Sequence, residues 1–372
     1  MKYYIIAGEA SGDLHASNLM KELKKLDVEA TFRCWGGDLM AREGGVLAKH
    51  YRDLAFMGFF EVLVHLGTIL NNIRFCKKDL LEYHPDVLIM VDYPGFNLRI
   101  ARFAHDSGIQ VFYYISPQLW AWRSSRVKAI KKNVDRMFVI LPFEKEFYKR
   151  YGYDVDFIGH PLLDVINRDE PLPDRSSFLE RNHLPDRPLI ALLPGSRKQE
   201  IKPMLETMLK VVPAFGDYHF VIAGAPSITP EFYSIILREY PVSIITGQTY
   251  ELLHHSSAAL VTSGTATLET ALIGIPQVVC YKGNPISYIL ARRVVRVNYI
   301  SLVNLVMDRE VIKELIQDQF TVKNLETELT RILSGTRRQE IMKSYALLRE
   351  KLGVRGASAN AARLMIQYLN KK

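Results

Sequence analysis

Residues 258–281 read AALVTSGTATLETALIGIPQVVCY, and this stretch is the clearest indication of the fold. An apolar run, small residues, a helical segment and a second apolar run follow one another. This order predicts a buried strand, a tight turn, a short helix and another buried strand, which is half of a nucleotide-binding α/β unit. The turn residues Ser263, Gly264 and Thr265 are small enough for backbone N–H groups to approach a diphosphate, which the positive end of the following helix favours.

Glu269 lies one helical turn after Thr265. A carboxylate at this position faces the same ligand and accepts hydrogen bonds from a ribose diol, as acidic residues do in other nucleotide-binding α/β folds. The segment therefore predicts a nucleoside diphosphate site. A capped helix after a buried strand also occurs in α/β proteins that bind no ligand, and these residues alone leave that alternative open.

Length and composition are typical of a globular protein of about two domains, since the chain has 372 residues. Its 48 Lys and Arg against 40 Asp and Glu give a net charge of +8, which suits an anionic partner or simply solubility. Cys34, Cys76 and Cys280 are far apart and form no metal-ligand pattern, so they predict core thiols in the cytosol. No apolar run is long enough for a signal peptide or for the ~18 residues of a membrane span.

Short apolar runs alternate with longer amphipathic stretches in both halves of the chain, which predicts parallel sheets covered by helices. The runs are residues 3–7, 86–91, 110–115, 136–141, 189–193, 219–223, 242–245, 258–261 and 277–280. A polar, proline-punctuated linker at 167–175 separates the halves. We therefore expect a first domain over residues 1–167 and a second over residues 168–349.

Each half begins with an apolar strand that runs into a turn of small residues, at 7–13 and at 193–197. Ligands bind beyond the carboxyl ends of parallel strands, so we expect chemistry in a cleft between two such sheets. Neither turn has the pattern G-x-G-x-x-G, and G-x-x-x-x-G-K-[ST] is absent. This weighs against dinucleotide oxidoreductases and P-loop NTPases.

A series of short motifs extends from residue 3 to beyond residue 315. The motifs are GEASGD at 8–13, MG at 57–58 with EVL at 61–63, SPQLWAWR at 116–123, LPFEK at 141–145, FIGH at 157–160, LPGSR at 193–197, SGTATLE at 263–269 and SLVNL at 301–305. In this order and at these spacings the chain resembles the lipid-A-disaccharide synthases, inverting glycosyltransferases of the GT-B fold. The resemblance implies two Rossmann-like domains facing each other across a cleft, with the terminal helix, residues 350–372, returning to the first.

The resemblance also implies a reaction. In it, 2,3-diacylglucosamine moves from its UDP derivative to the 6-hydroxyl of 2,3-diacylglucosamine 1-phosphate, which yields a β-1,6 disaccharide 1-phosphate and UDP. These two lipids are the implied partners, and no nucleic acid is expected. The residues themselves predict only a diphosphate cradle and cationic help between two α/β domains. A GT-B-like UDP-sugar 2-epimerase and a two-lobed ligand-binding protein are the alternatives.

Asp92 is the candidate catalytic base, because an inverting transfer needs a group that takes the proton from the attacking hydroxyl. It follows the apolar run 87–91, and a side chain at the carboxyl end of a parallel strand points into the ligand site. An Asx turn or a helix cap is the alternative. In the resemblance the essential acid of the family matches Asp92, whereas Gly95 stands where many relatives have a second Asp.

Arg197 is suited to bidentate contact with the phosphates of departing UDP, although a surface arginine or an ion pair explains it as well. The resemblance adds Asn304 as a substrate contact. The expected donor-binding residues are Gly195, Ser196, Arg197, Gly247, Gln248, Ser263, Gly264, Thr265, Glu269 and Asn304. The expected acceptor-side residues are Gly8, Glu9, Ser11, Gly12, Met57 and Trp120, and aromatic packing is an equally good reading of Trp120.

No metal or cofactor is expected. Asp154 and Asp156 form an Asp-x-Asp pair, but their neighbours indicate a strand edge, not a metal site. His254 and His255 are adjacent on a helix and therefore point in different directions. We accordingly expect activity that survives a chelator.

Residues 56–70 carry more apolar surface than a one-sided helix needs, and basic residues flank them. The flanking residues are Arg52, Arg74, Lys77 and Lys78. Such a segment is suited to an anionic leaflet, while a core helix with a solvated basic end explains it equally well. We expect a cytoplasmic protein bound peripherally to the inner face of the cytoplasmic membrane. The sequence leaves open whether the C-terminal helices return to their own subunit or form a homodimer with a partner.

Overall fold

The computed structural model describes residues 1–54, 66–122, 124–166, 174–237, 240–284, 288 and 297–371. Their contacts divide the chain into a first unit, Met1–Asp164 with Leu352–Lys372, and a second unit, Val165–Lys351. Each unit contains one parallel sheet with helices packed on it. The predicted α/β class with two parallel sheets is therefore confirmed.

The sheet of the first unit has the strand order β3-β2-β1-β4-β5-β6-β7 in the described part of the chain. Its strands are β1 (Lys2–Ala7), β2 (Thr31–Gly36), β3 (Val46–His50), β4 (Val87–Val91), β5 (Gln110–Tyr114), β6 (Arg136–Val139) and β7 (Asp156–Phe157). The helices that follow in chain order are α1 (Ala10–Leu26), α2 (Asp38–Arg42), α3 (Leu66–Tyr83), α4 (Pro94–Asp106), α5 (Leu119–Trp122), α6 (Val127–Asn133), α7 (Pro142–Lys149) and α8 (Leu162–Ile166).

Both faces of this sheet are buried, as parallel sheets require. Tyr4 of β1 lies in one apolar cluster with Cys76 of α3, whereas its neighbour Ile5 lies in another cluster with Leu19 of α1. This alternation follows from the two-residue period of a strand.

The sheet of the second unit has the order β10-β9-β8-β11-β12-β13 among the described residues. Its strands are β8 (Leu189–Leu193), β9 (His219–Gly224), β10 (Val242–Thr246), β11 (Ser256–Thr262), β12 (Gln277–Tyr281) and β13 (Glu314–Ile316). The remaining helices are α9 (Arg175–Arg181), α10 (Lys198–Met208), α11 (Pro230–Leu237), α12 (Thr249–His254), α13 (Thr265–Ile273), α14 (Leu302–Met307), α15 (Val322–Leu333), α16 (Gly335–Lys351) and α17 (Ala357–Leu369). Short 3-10 turns occur at Tyr51–Leu54, Ser124–Arg126, Leu209–Ala214 and Gln317–Gln319.

Four of the described strands coincide with none of the apolar runs. β2 is interrupted by Arg33, and β3 is an edge strand that contains Lys49 and His50. β7 has two residues and β13 has three. Each becomes a strand through pairing with a neighbour that is already in place, so its own sequence carries a weak signal.

The terminal helix α17 packs within the first unit. Ala361 and Met365 share an apolar cluster with Ala16 and Met20 of α1. The hydroxyl of Tyr368 donates to the Asp156 carboxylate at 3.0 Å. The predicted return of this helix to the first domain is therefore confirmed.

The strand order places one topological switch point in each sheet. In the first unit the chain moves outward from β1 to β3 and returns on the other side of β1 with β4. In the second unit it moves from β8 to β10 and returns with β11. The turns after β1 and β4 are therefore neighbours, as are the turns after β8 and β11, and ligands of open α/β sheets bind at such points.

Candidate functional site

Asp92 and Tyr93 form a strained turn directly after β4. Their φ angles are 44° and 48°, in the left-handed region that bulky side chains rarely adopt. Each such residue costs on the order of 1–3 kcal/mol and persists only where the surrounding structure enforces it, often at a functional site. The turn also explains Gly8: a Cβ atom there would lie 2.4 Å from the ring of Tyr93. The two turns at the first switch point are thus in direct contact.

Two buried side chains hold the main-chain oxygen of Asp92. The hydroxyl of Tyr113 on β5 donates to it at 2.6 Å, and the amide Nδ2 of Asn97 on α4 donates at 2.7 Å. Both residues are fully buried. Asp92 was alternatively interpreted as a cap of the following helix. Helix α4 begins without a side-chain cap, so Asp92 does not have that role.

Asp92 is exposed to solvent as a residue, although protein surrounds much of its carboxyl group. Partial desolvation and the nearby Glu9 carboxylate raise its pKa to about 6, against a smaller opposing effect of a hydrogen bond from the Tyr93 backbone. A carboxylate with this pKa is ionised at neutral pH and is a stronger base than an ordinary aspartate. It is therefore suited to general base catalysis.

The other acceptor-side predictions separate into two groups. Gly8 and Gly12 are buried, and a Cβ on Gly12 would lie 3.2 Å from the Ala7 Cβ, so both glycines permit close packing and their burial does not support a ligand contact. Glu9 and Ser11 are exposed at the start of α1. Met57, which was also predicted on the acceptor side, lies outside the described residues. Trp120 is half-buried, and its ring packs edge to face on that of Phe143 with the ring centroids 4.9 Å apart.

Asp13, the last residue of the GEASGD motif, has a structural role that the sequence did not reveal. Its carboxylate accepts hydrogen bonds from the backbone N–H groups of Gly37, Leu39 and Met40 at 2.8–3.2 Å. It thereby caps α2 from the neighbouring helix α1. An acidic residue that caps a helix some 25 positions away leaves no local signal.

Two helices begin at the switch point of the second unit. Helix α10 starts after Arg197 and α13 after Gly264, and neither start has a side-chain cap. A Cβ on Gly195 would lie 3.8 Å from the Thr262 methyl, so the turns after β8 and β11 are adjacent. A Cβ on Gly264 would meet no described atom within 4 Å. Uncapped N–H groups at two helix starts, beside open space, fit a diphosphate.

Ser263 departs from its predicted role. Its N–H donates to the Cys280 carbonyl at 3.1 Å and its hydroxyl to the Ile300 carbonyl at 3.0 Å. This corrects the expectation that all three turn residues offer N–H groups to a ligand. Gly264 and Thr265 are exposed and remain candidates, as does Ser196 at the neighbouring turn, where its side chain is also exposed.

Glu269 is a half-buried carboxylate on α13 with no hydrogen-bond partner in the described parts of the chain. Desolvation raises its pKa. A protein seldom keeps such a group unpaired without a use for it. The contact of Glu269 with a ribose diol stays a prediction.

Arg197 has an exposed side chain, and its Nη1 atom lies 3.4 Å from the Glu200 carboxylate. Such a surface ion pair contributes little to stability, and Arg197 stays a candidate for contact with a phosphate. Gly247 and Gln248 follow β10, two strands away from β8. The side-chain amides of Gln248 and Asn182 donate hydrogen bonds to each other. The Gln248 amide, which was predicted to bind the donor, is therefore engaged by protein.

Asn304 is fully buried, and its amide group is satisfied by protein. Its Nδ2 donates to the Ile312 carbonyl and to Glu314, while its Oδ1 accepts from the N–H groups of Val311 and Ile312, all at 2.8–3.0 Å. The predicted side-chain contact with substrate is therefore not supported. A polar residue that holds β13 in place produces the same motif as one that contacts a ligand.

The Asp-x-Asp pair and the two adjacent histidines show no arrangement for binding a metal ion. Asp156 accepts a hydrogen bond from Tyr368, and the rings of His254 and His255 are inclined by 80°. Within the described residues, the structure contains no group of three or more His, Cys, Asp or Glu that could hold a metal ion.

The family model described as lipid-A-disaccharide synthetase matches residues 3–367. Curated relatives named lipid-A-disaccharide synthase include one from Syntrophus aciditrophicus, 41% identical over 379 residues that cover 99% of this chain and 97% of the relative. Another, from Acidobacterium capsulatum, is 38% identical over 378 residues that cover 96% of this chain and 93% of the relative.

Solved structures share the fold at low sequence identity. The glycotransferase of kitacinnamycin has a TM-score of 0.68 at 15% identity and covers 99% of both chains. UDP-GlcNAc 2-epimerase from Neisseria meningitidis, bound to UDP-GlcNAc, has a TM-score of 0.66 at 14% identity and covers 100% of both chains. At this identity the likeness concerns the fold alone, and it confirms the GT-B class.

Proposed function

The chain belongs to the lipid-A-disaccharide synthetase family, and on that premise we propose how its residues carry out the reaction. The protein is a hexosyltransferase of lipid A biosynthesis that forms a disaccharide. The donor is UDP-2,3-diacylglucosamine and the acceptor is 2,3-diacylglucosamine 1-phosphate. The family match supports this function over a 2-epimerase or a two-lobed binding protein, since the epimerase likeness concerns the fold alone.

Asp92 is the general base. Its carboxylate takes the proton of the acceptor 6-hydroxyl while that oxygen forms a bond to the anomeric carbon of the donor. The bond from this carbon to UDP breaks, and UDP leaves with the electron pair. The single observation that carries this assignment is the strained turn after β4, which holds an accessible carboxyl group with a pKa of about 6.

The second unit binds the UDP part of the donor. The uncapped starts of α10 and α13 carry partial positive charge, and Arg197 lies at one of them, so the negative charge of the departing diphosphate is stabilised there. Glu269 accepts hydrogen bonds from the ribose hydroxyls. Its unpaired, desolvated carboxyl group supports this role.

The test is a product assay in a chelator-containing buffer, with both lipids and with mass spectrometry of the products. The wild-type protein should form the disaccharide 1-phosphate and UDP. Asp92→Asn should lose this activity, while Asp106→Asn, which removes an exposed carboxylate from the far end of α4, should keep it. Product from Asp92→Asn at the wild-type rate would contradict the assignment of the base, and a UDP-sugar epimer as the only product would contradict the transferase.

Helix α3 supports peripheral association with an anionic membrane. Leu70 and Leu81 have exposed fractions of 45% and 44%, and they share one stripe of the helix with the exposed residues Arg74 and Lys78. Apolar side chains interleaved with basic ones fit an anionic leaflet. None of the helices that the structure describes has the length and apolar content needed to cross a bilayer. The preceding segment 55–65, which carries most of the predicted apolar surface, lies outside the described residues.

A further inference from the structure

We propose that Tyr113 and Asn97 are positioning residues that act on catalysis through the main chain of Asp92. The proposal rests on the proposed role of Asp92 as the general base. Neither side chain is assigned a contact with substrate. Their contribution is to hold the backbone of residue 92 in the one conformation that presents its carboxylate.

The geometry concentrates two donors on one acceptor. The Tyr113 hydroxyl and the Asn97 amide lie 2.6 Å and 2.7 Å from the same carbonyl oxygen of Asp92. They arrive from different elements, β5 and α4, and both are fully buried. A carbonyl held from two sides keeps the peptide plane that follows it from rotating, and that plane sets the φ angle of Tyr93.

The backbone at this point would otherwise relax. Asp92 and Tyr93 both have positive φ angles, as does Ile115 directly after β5. A strained conformation of this kind persists only where surrounding contacts over-determine it. The two hydrogen bonds to the Asp92 carbonyl are such contacts, together with the ring of Tyr93 lying on Gly8.

The arrangement leaves a polar atom without a partner. When Asn97 turns its Nδ2 toward Asp92, its Oδ1 is buried and has no hydrogen-bond partner among the residues that the structure describes. A core selected for stability alone would satisfy this atom. The orientation of the Asn97 amide therefore indicates that its hydrogen bond to the Asp92 carbonyl serves function.

The next residue along β5 provides a matched control. Tyr114 is also a fully buried tyrosine, but its side chain faces the other side of the sheet, where its hydroxyl lies 3.3 Å from the Ser358 hydroxyl of α17. Removing either hydroxyl deletes one oxygen and one buried hydrogen bond. Only the Tyr113 hydroxyl touches Asp92.

The experiment compares Tyr113→Phe with Tyr114→Phe in the full-length protein. For Tyr113→Phe we expect kcat to fall about 10- to 100-fold, because a displacement of the reacting group by about 1 Å has an effect of this size. KM for both lipids and the Kd of UDP should stay within about twofold of wild type, since no substrate contact is lost. Tyr114→Phe should keep the wild-type kcat, and the two variants should have similar thermal midpoints.

Asn97→Ala provides a second test of the same acceptor and should also lower kcat with little change in KM. Wild-type kcat in Tyr113→Phe, or an equal loss in Tyr114→Phe at equal stability, would overturn the proposal. A rise in KM without a fall in kcat would also overturn it, because it would indicate substrate contact.

Two additional variants separate this proposal from the one on which it rests. If Asp92→Asn retains wild-type activity, the assignment of the base fails and the positioning role fails with it. If Asp92→Asn is inactive while Tyr113→Phe is unaffected, only the positioning role fails. When both hold, the double variant should be no slower than Asp92→Asn, since residues that act as a unit are not additive.

Discussion

The side-chain amide of Asn304 donates to Oε1 of Glu314 at 2.9 Å, deep inside the second unit. The same carboxylate accepts hydrogen bonds from the Ser301 hydroxyl and from the Ile300 N–H. The Ile300 carbonyl in turn accepts the hydroxyl of Ser263, at the turn after β11. Asn304, which the sequence predicted to contact substrate, therefore takes part in a hydrogen-bond network that supports the proposed donor-binding turn.

Removing this amide should reduce stability. We expect Asn304→Ala to lower the free energy of unfolding by about 2–4 kcal/mol, because it leaves the buried N–H groups of Val311 and Ile312 without their acceptor and removes one of the donors to Glu314. Asn324→Ala, at an exposed helix start, should cost less than about 1 kcal/mol. Chemical unfolding measures both. Unchanged stability with a loss of donor binding would instead indicate the direct contact that the sequence predicted.

The pH dependence of the reaction should report on Asp92. Its ionised form is the proposed base, so kcat/KM should be constant well above pH 6 and fall about tenfold per pH unit below it. Glu9→Gln removes a negative charge that raises this pKa, so its acid limb should move to lower pH. Glu22→Gln, farther along α1, should leave the limb in place. A limb that stays fixed in Glu9→Gln would exclude this coupling.

The same pKa shift affects stability in the opposite sense. The folded-state pKa of Asp92 lies above its unfolded value of 3.8, so its contribution to stability is fully present below about pH 4 and is lost as the pH rises through about 6. Asp92→Asn should therefore be at least as stable as wild type at pH 7.

Glu269 should contribute to UDP binding while it lowers the stability of the ligand-free protein. Its carboxyl group is desolvated and has a raised pKa, so its ionised form opposes folding at neutral pH. We expect Glu269→Gln to be as stable as wild type or more stable, and to bind UDP about tenfold more weakly. Titration calorimetry with UDP measures this, with Glu340→Gln as the exposed control. Equal UDP affinity in both variants would contradict the ribose contact.

Membrane association should depend on the exposed stripe of α3. Leu70→Ser with Leu81→Ser should lower binding to vesicles of phosphatidylglycerol and phosphatidylcholine, while far-UV circular dichroism stays unchanged because both side chains are exposed. Binding of the wild type to vesicles of phosphatidylcholine alone should be weak. Val28→Ser and Ile235→Ser replace even more exposed apolar residues elsewhere and serve as controls. Equal binding of all variants would place the membrane contact outside α3.

Much of the architecture could be predicted from local patterns. Apolar runs such as 87–91 and 189–193 are buried parallel strands in the structure, because a strand covered on both faces must be apolar throughout. The turn and helix of 263–273 were also predictable, since small residues precede a helical segment there. Strands β2, β3, β7 and β13 match no apolar run, because they depend on neighbours and not on their own hydrophobicity.

The sequence by itself determined the α/β class, through the order of its apolar runs. Its motifs determined the family and the class of reaction through resemblance, and they singled out Asp92 as the proposed base. None of these steps needs knowledge of three-dimensional contacts. The tertiary structure alone decided which motif residues face open space and which are engaged by protein, as Gly264 and Asn304 illustrate. It also brought Tyr113 to Asp92, across 21 positions of sequence. The physical reason is that a hydrogen bond forms only between groups that folding brings within about 3 Å of each other, and residue types alone do not specify those positions.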